Sequence, residues 1–239
     1  MFTSSIQKFL NKNHYPCFSP KAVFFDMDGV LFDSMKSHTN AWVQAMLDMN
    51  IPFTHHEAYM NEGRTGQSTI DGAFNRTFGR DATEEEKQQI YSLKSKYFEG
   101  YDAPERIPFV LELLNTIKKQ ELIIFVVTGS GQASLIEGLE QSFPNIFQKE
   151  KMITAFDVQN GKPSPEPYLK ALKKSGLQPW EIIVVENAPL GIESAKAAGL
   201  FTLGVNTGIL EKEVLVKSGA DIVFDSMEQV FEKWNELVS

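Results

Sequence analysis

The stretch AVFFDMDGVLFDS, residues 22–34, decides the fold. Ala22 to Phe25 form a short apolar run that breaks off at Asp26, Met27, Asp28 and Gly29, which predicts a buried strand feeding a turn. Downstream, from Ser34 to about Asp102, the pattern is helical. Trp42, Val43, Met46, Leu47 and Met49 recur at helical spacing, as do Ile90, Leu93, Tyr97 and Phe98, and no strand is predicted between them. After Pro104 strands and helices alternate. Helices are predicted over 109–119, 132–142, 166–175 and 190–198, strands over 122–127, 152–154, 181–185, 201–205 and 221–224, and an amphipathic helix closes the chain. Apolar strands alternating with helices imply an α/β fold, a doubly wound parallel sheet covered on both faces. Upstream, Ile6, Phe9 and Leu10 have helical spacing and Pro16 and Pro20 close the segment. The expected organisation is an N-terminal extension over 1–20, a core over 21–33 and 103–239, and an all-helical insert over 34–102.

Composition narrows the classes of function. The 239 residues carry 23 basic and 31 acidic side chains, a net charge of −8, with 42% apolar residues and 18 Phe. Such a chain can bury a core and is not read as disordered. Its acidity argues against nucleic acid or an anionic membrane as partner. The single cysteine, Cys17, makes neither an intramolecular disulfide nor a multi-cysteine metal site, and no apolar stretch approaches a membrane span. The start of the chain lacks a signal-peptide apolar region, so a cytoplasmic location is expected.

In open parallel sheets, ligands gather at the carboxyl ends of the strands. The first strand delivers Asp26 and Asp28 there, and the second delivers Thr128, Gly129 and Ser130. A later loop carries Lys162, and the strand near Val185 delivers Glu186 and Asn187. This inventory suits phosphoryl transfer. A carboxylate can attack phosphorus, but two anions approach only when a cation offsets their repulsion, and hard Mg²⁺ with oxygen ligands is the expected one. The Thr128 hydroxyl, the Gly129 and Ser130 amides and the Lys162 ammonium then hold phosphoryl oxygens. Asp28 is placed to protonate the leaving oxygen and later to deprotonate water.

Four segments carry a family resemblance: FFDMDGVLFDS from Phe24, VVTGSG from Val126, GKPSPEPY from Gly161 and VVENAPLGIESAKAAG from Val184. In this order they resemble the motifs of the haloacid dehalogenase (HAD) superfamily, across essentially residues 21–225. The insert after the first strand resembles the β-phosphoglucomutase-like subgroup with a helical cap. The resemblance implies a Rossmann-like core, Asp26 as nucleophile, and Asp28 as acid/base with its backbone carbonyl on the metal. It also implies Thr128 and Lys162 on the phosphoryl group and Glu186 and Asn187 serving Mg²⁺. A dehalogenase has no leaving oxygen to protonate, so Asp28 favours a phosphatase or phosphotransferase.

The chain also departs from the mutase pattern. That pattern has a cap arginine about where Gly66 stands and a core lysine near Gly131. Both resemble holders of a second phosphate, and their loss removes charge-assisted hydrogen bonds the mutase cycle needs. Asn187 stands where many relatives have aspartate, which weakens the metal site while the cap is open. Glu62, in EGRTGQS, is expected to supply the missing anion on cap closure. The set of Glu62, Arg64 and Asn187 is similar to the inorganic-pyrophosphatase branch of the subgroup. Arg64 and Lys94 are either anion contacts or members of ordinary surface ion pairs. His38 either sits near the acid/base, as a cap histidine does in relatives, or is a packed core residue. Trp42 and Met46 are read as core.

The expected protein is thus a monomeric Mg²⁺-dependent phosphohydrolase, with pyrophosphate preferred over a small phosphomonoester. β-Phosphoglucomutase is the alternative, and a silent binding module on the same fold is the second.

Overall fold

The computed structural model describes residues 2–131 and 133–238, without the side chains of residues 133–136. Six strands form one parallel sheet: β1 (Ala22–Phe25), β2 (Ile123–Val127), β3 (Met152–Ile153), β4 (Ile182–Glu186), β5 (Phe201–Val205) and β6 (Ile222–Phe224). Their spatial order is β3-β2-β1-β4-β5-β6. The chain therefore reverses its direction of sheet growth at β1, which pairs with β2 on one side and β4 on the other. Ligands collect in the crevice at such a switch point, and here the crevice lies beyond Phe25.

Side-chain alternation explains why β1 is apolar throughout. Val23 and Phe25 enter one core cluster, while Ala22 and Phe24 enter another on the opposite face. The first cluster also takes Leu113 and Ile117 of α6 (Val110–Lys119), and Val230 and Trp234 of α11 (Met227–Val238). The second takes Tyr168 and Ala171 of α8 (Glu166–Ser175), and Ala195 of α9 (Pro189–Ala197). Between β2 and β3 lies α7 (Ala133–Ser142); Gln132, the first residue of the helix expected there, falls outside the described residues. The six-residue α10 (Lys212–Lys217) was not predicted; Leu215 is the one buried residue in it.

The N-terminal segment is firmly docked. Its helix α1 (Thr3–Asn13) buries Phe9, whose ring lies edge-on to Phe201 with centroids 5.3 Å apart. Phe18 lies 4.8 Å from the same ring.

Between β1 and α6 stand α2 (Met35–Asp48), α3 (His55–Met60), α4 (Gly66–Phe78) and α5 (Glu84–Glu99). Ala45, Met46, Ile70, Phe74 and Ile90 form a core of their own. Thr83 starts α5 with a capping box: its hydroxyl accepts from Glu86 N, and the Glu86 carboxylate accepts from Thr83 N. A small apolar cluster joins this helical layer to the sheet layer, with Tyr59 and Met60 of α3 against Leu210 and Val214. Among the described residues no helix is long and apolar enough to cross a membrane.

Candidate active site

The β1 backbone continues past Phe25 for one more bond, from Asp26 N–H to Val185 O at 3.0 Å, so Asp26 stands fixed at the sheet edge. The residue is 3% exposed. Burial is the largest influence on it and, against the nearby Lys162 and with Glu186 and Asp28 also raising it, lifts its pKa to about 8.

Lys162 lies beneath Asp26 and spends its three donors inside the protein. Nζ donates to Asp26 Oδ1 at 2.5 Å, to Glu186 Oε1 at 2.6 Å and to Val127 O at 3.0 Å. Burial works against the ammonium, but the two carboxylates outweigh it and hold it charged. Lys162 was expected on a phosphoryl oxygen; here its ammonium holds Asp26, and it does not line the cavity above. Glu186 was expected at the metal. Both of its oxygens are taken within the protein, Oε1 by Lys162 and by Tyr168 Oη at 2.9 Å, and Oε2 by the amides of Asn187 and Ala188. It positions Lys162 from the end of β4, just before α9. Tyr168, which sequence reading placed only within the GKPSPEPY motif, is the partner that completes this arrangement.

Asp28 belongs to a second, polar chain. Its Oδ1 accepts from Ser34 Oγ at 2.6 Å and lies 3.0 Å from His38 Nε2. His38 Nδ1 lies 2.8 Å from Lys94 Nζ. An ammonium has only hydrogens to offer, so Nδ1 accepts and Nε2 carries the proton donated to Asp28. Burial pushes Asp28 up, yet His38, Ser34 and Lys94 together bring it below the usual carboxylate range. Burial, reinforced by Lys94, lowers His38. Burial also lowers Lys94, to about 8, with Asp28 opposing. The Lys94 ammonium sits over the Phe98 ring at 4.8 Å and the Trp42 ring at 5.6 Å, which partly replaces lost water. His38 and Lys94 are thus linked to Asp28 rather than to surface ion pairs. Trp42 lines the cavity, which corrects its reading as simple core; Met46 is fully buried.

The cap loop closes directly on the sheet edge. A Cβ placed at Gly129 would lie 2.3 Å from Gly63 O, and one at Gly161 would lie 2.8 Å from Thr65 Cγ2. Glycine at these points lets backbone meet backbone. Thr128 Oγ1 accepts from Ser130 N–H at 2.9 Å, so that amide, expected on the phosphoryl group, serves the threonine here. Thr128, Gly129, Ser130, Asp26, Asp28 and Glu62 share one cavity with Arg64, His38 and Lys94, about 620 Å³ with its mouth included.

Glu62 crosses from cap to core. Asn187 Nδ2 donates to its Oε1 at 2.9 Å. Burial raises Glu62 well above its ordinary value, Asp26 adds to this, and the Asn187 bond opposes it. Gly29 makes the approach of Asn187 feasible: a Cβ there would fall 2.0 Å from Asn187 Nδ2. Asn187 Oδ1 and Arg64 Nε are buried with no hydrogen-bond partner, and Arg64 Nη1 reaches Ser68 Oγ at 3.2 Å.

These residues fit a hard divalent cation. The donors are all oxygen, several carboxylates are desolvated together, and one amide oxygen is orphaned. Among the described residues no cluster of three or more His, Cys, Asp or Glu side chains is arranged as a metal site. An amide oxygen and a main-chain carbonyl are therefore needed to complete a ligand set.

A parallel sheet carrying buried carboxylates and a clamped lysine at its switch point, under a helical lid, defines an α/β phosphatase or phosphomutase. Residues 23–205 match the model of the haloacid dehalogenase-like hydrolase family, and the chain belongs to that family. A solved structure from Bacteroides vulgatus, provisionally named a β-phosphoglucomutase, is 48% identical with a TM-score of 0.96, covering 99% of this chain and 96% of that one. The 2-deoxyglucose-6-phosphate phosphatase 1 of Saccharomyces cerevisiae is 28% identical over 89% of this chain and 90% of its own. The β-phosphoglucomutase of Bacillus subtilis is 25% identical over 90% and 96% respectively. With phosphatases and mutases as relatives over nearly its whole length, the chain is an enzyme, and a silent binding module is not supported.

Proposed function

We propose that this protein is a Mg²⁺-dependent phosphohydrolase working through an aspartyl-phosphate on Asp26, with inorganic pyrophosphate as preferred substrate and a small phosphomonoester next. The observation that carries the reading is the contact between Asn187 and Glu62 above Asp26, with Asn187 Oδ1 left over. An amide where a carboxylate would bind metal more strongly is offset by an acid brought in from the cap. Residues 34–102 act in this reading as a cap domain on the core of 21–33 and 103–239.

Asp26, the Asp28 carbonyl, Asn187 Oδ1 and Glu62 would hold the cation, which supplies the positive charge that lets an anionic phosphoryl group approach an anionic nucleophile. Lys162 holds Asp26 by Oδ1, leaving Oδ2 to attack phosphorus. As that bond forms, the bond from phosphorus to the leaving oxygen breaks, and Asp28, carrying a proton taken up from water as the substrate anion binds beside it, gives that proton to the leaving oxygen. Asp28 then takes a proton from water, water oxygen attacks phosphorus, and the Asp26–phosphorus bond breaks to release orthophosphate. His38 and Lys94 orient Asp28 through both steps. Thr128 and the Gly129 amide steady the phosphoryl oxygens, and Arg64 with its unpartnered Nε meets the leaving phosphate. The enzyme acts as a monomer on a small phosphorylated substrate, with neither nucleic acid nor membrane as partner.

β-Phosphoglucomutase is the second reading, favoured by the names of the Bacteroides and Bacillus relatives, and a hexose phosphate is then the substrate. The absence of a cation at Gly66 and Gly131 weighs against it. Glu62→Ala tests the hydrolase reading: the half-saturating Mg²⁺ concentration for pyrophosphate hydrolysis is expected to rise at least tenfold and the rate to fall. Unchanged values for both would remove Glu62 from the metal site.

A further inference from the structure

Building on the phosphohydrolase reading, we propose that Tyr91 is the specificity-determining wall of the site, and that its ring excludes leaving groups much bulkier than a phosphate. Tyr91 lies on α5, one turn before Lys94 and on the same helix face, and it lines the cavity that holds Asp26 and Asp28. Its ring is fitted between two glycines from different layers. On the cap side, a Cβ at Gly66 would lie 2.3 Å from Tyr91 Cε2 and 2.4 Å from Cδ2. On the core side, a Cβ at Gly131 would lie 3.0 Å from Tyr91 Oη. The ring thus fills the gap between cap and core where any side chain from either residue would have to enter. Trp42 flanks it, with ring centroids 6.3 Å apart.

The placement joins two facts that are otherwise separate. Gly66 and Gly131 do more than omit two cations: their lack of side chains makes room for an aromatic plane. Tyr91 and Gly131 both line the cavity, and Gly131 stands two residues beyond the point where Gly129 meets the cap backbone. A compact leaving group fits between Asp28 and the ring. A hexose ring, with its own hydroxyls to solvate, meets an aromatic edge across a closed gap and is held away from the in-line position.

The test compares kcat/KM for pyrophosphate, acetyl phosphate and glucose 6-phosphate, with Mg²⁺, in the wild type, Tyr91→Phe, Tyr91→Leu and Tyr91→Ala. The ratio of glucose 6-phosphate to acetyl phosphate turnover is expected to rise at least tenfold in Tyr91→Ala and Tyr91→Leu and to stay within threefold in Tyr91→Phe. Tyr91→Leu keeps an apolar contact with Gly66, so it decides the matter if the alanine variant does not fold. An unchanged ratio in a folded Tyr91→Leu protein overturns the wall, whichever substrate is best. A wild type that ignores pyrophosphate yet prefers acetyl phosphate to glucose 6-phosphate retires the substrate named above and leaves the wall standing.

Discussion

At the residue scale, the buried Lys94–His38–Asp28 chain carries a cost that can be measured. Lys94 is 3% exposed, and a pKa lowered from 10.5 to about 8 means that the fold holds the charged amine less well than the unfolded chain does. Between those two values the unfolded chain binds more protons than the native one, so stability rises with pH across that window. Below about pH 8 the full penalty is present, on the order of 3 kcal/mol. Urea unfolding of the wild type and Lys94→Met over pH 7–10.5 is expected to show the difference between them moving in favour of the wild type by about that amount. A difference that does not move with pH would mean Lys94 is not desolvated in solution. Natural enzymes tolerate such a cost where the charge is used, and here it acts through His38 to orient Asp28, the residue proposed to move the proton.

At the element scale, the loop between α3 and α4 governs whether the site is complete. It carries Glu62 to Asn187 and rests Gly63 on Gly129. Gly129→Ala would place a methyl group 2.3 Å from the Gly63 carbonyl oxygen and hold the cap ajar. The predicted result is at least a tenfold loss of kcat/KM for pyrophosphate with thermal unfolding within a few degrees of wild type, since neither layer's core is touched. Normal turnover in that variant would mean closure does not need this contact.

Elements were legible where their signal is local. Strand β1 and the acidic turn after it follow from an apolar run meeting Asp-Met-Asp-Gly, and α8 was bounded correctly by its periodicity. The pairings that shape the site were not legible. Tyr168 lies 18 residues from Glu186 and Lys162 lies 136 from Asp26, distances over which periodicity says nothing. Motif order pointed to Asp26, Asp28, Thr128 and Lys162, and the structure brings them to one edge. It did not show that Lys162 and Glu186 turn inward, because that depends on how many donors and acceptors each finds when buried. The role of Tyr91 was hidden for the same reason: its neighbours are two glycines, 25 residues before it and 40 after, whose information lies in what they lack.

At the scale of the whole molecule, a chain of net charge −8 builds a site for anions by concentrating its few useful cations. Lys162 clamps Asp26, Lys94 backs Asp28 through His38, and Arg64 faces the cavity. The acidic side chains that line the cavity are Asp26, Asp28 and Glu62, where a divalent cation fits. The switch point of the sheet sets where these groups meet, and the helical layer sets how large a molecule can join them. The most direct test is a side-by-side measurement of kcat/KM with Mg²⁺ for pyrophosphate and for β-glucose 1-phosphate supplied with trace bisphosphate activator. The account predicts that pyrophosphate hydrolysis exceeds conversion of the glucose phosphate by at least a hundredfold; efficient isomerisation to glucose 6-phosphate, with little phosphate released from pyrophosphate, would contradict it.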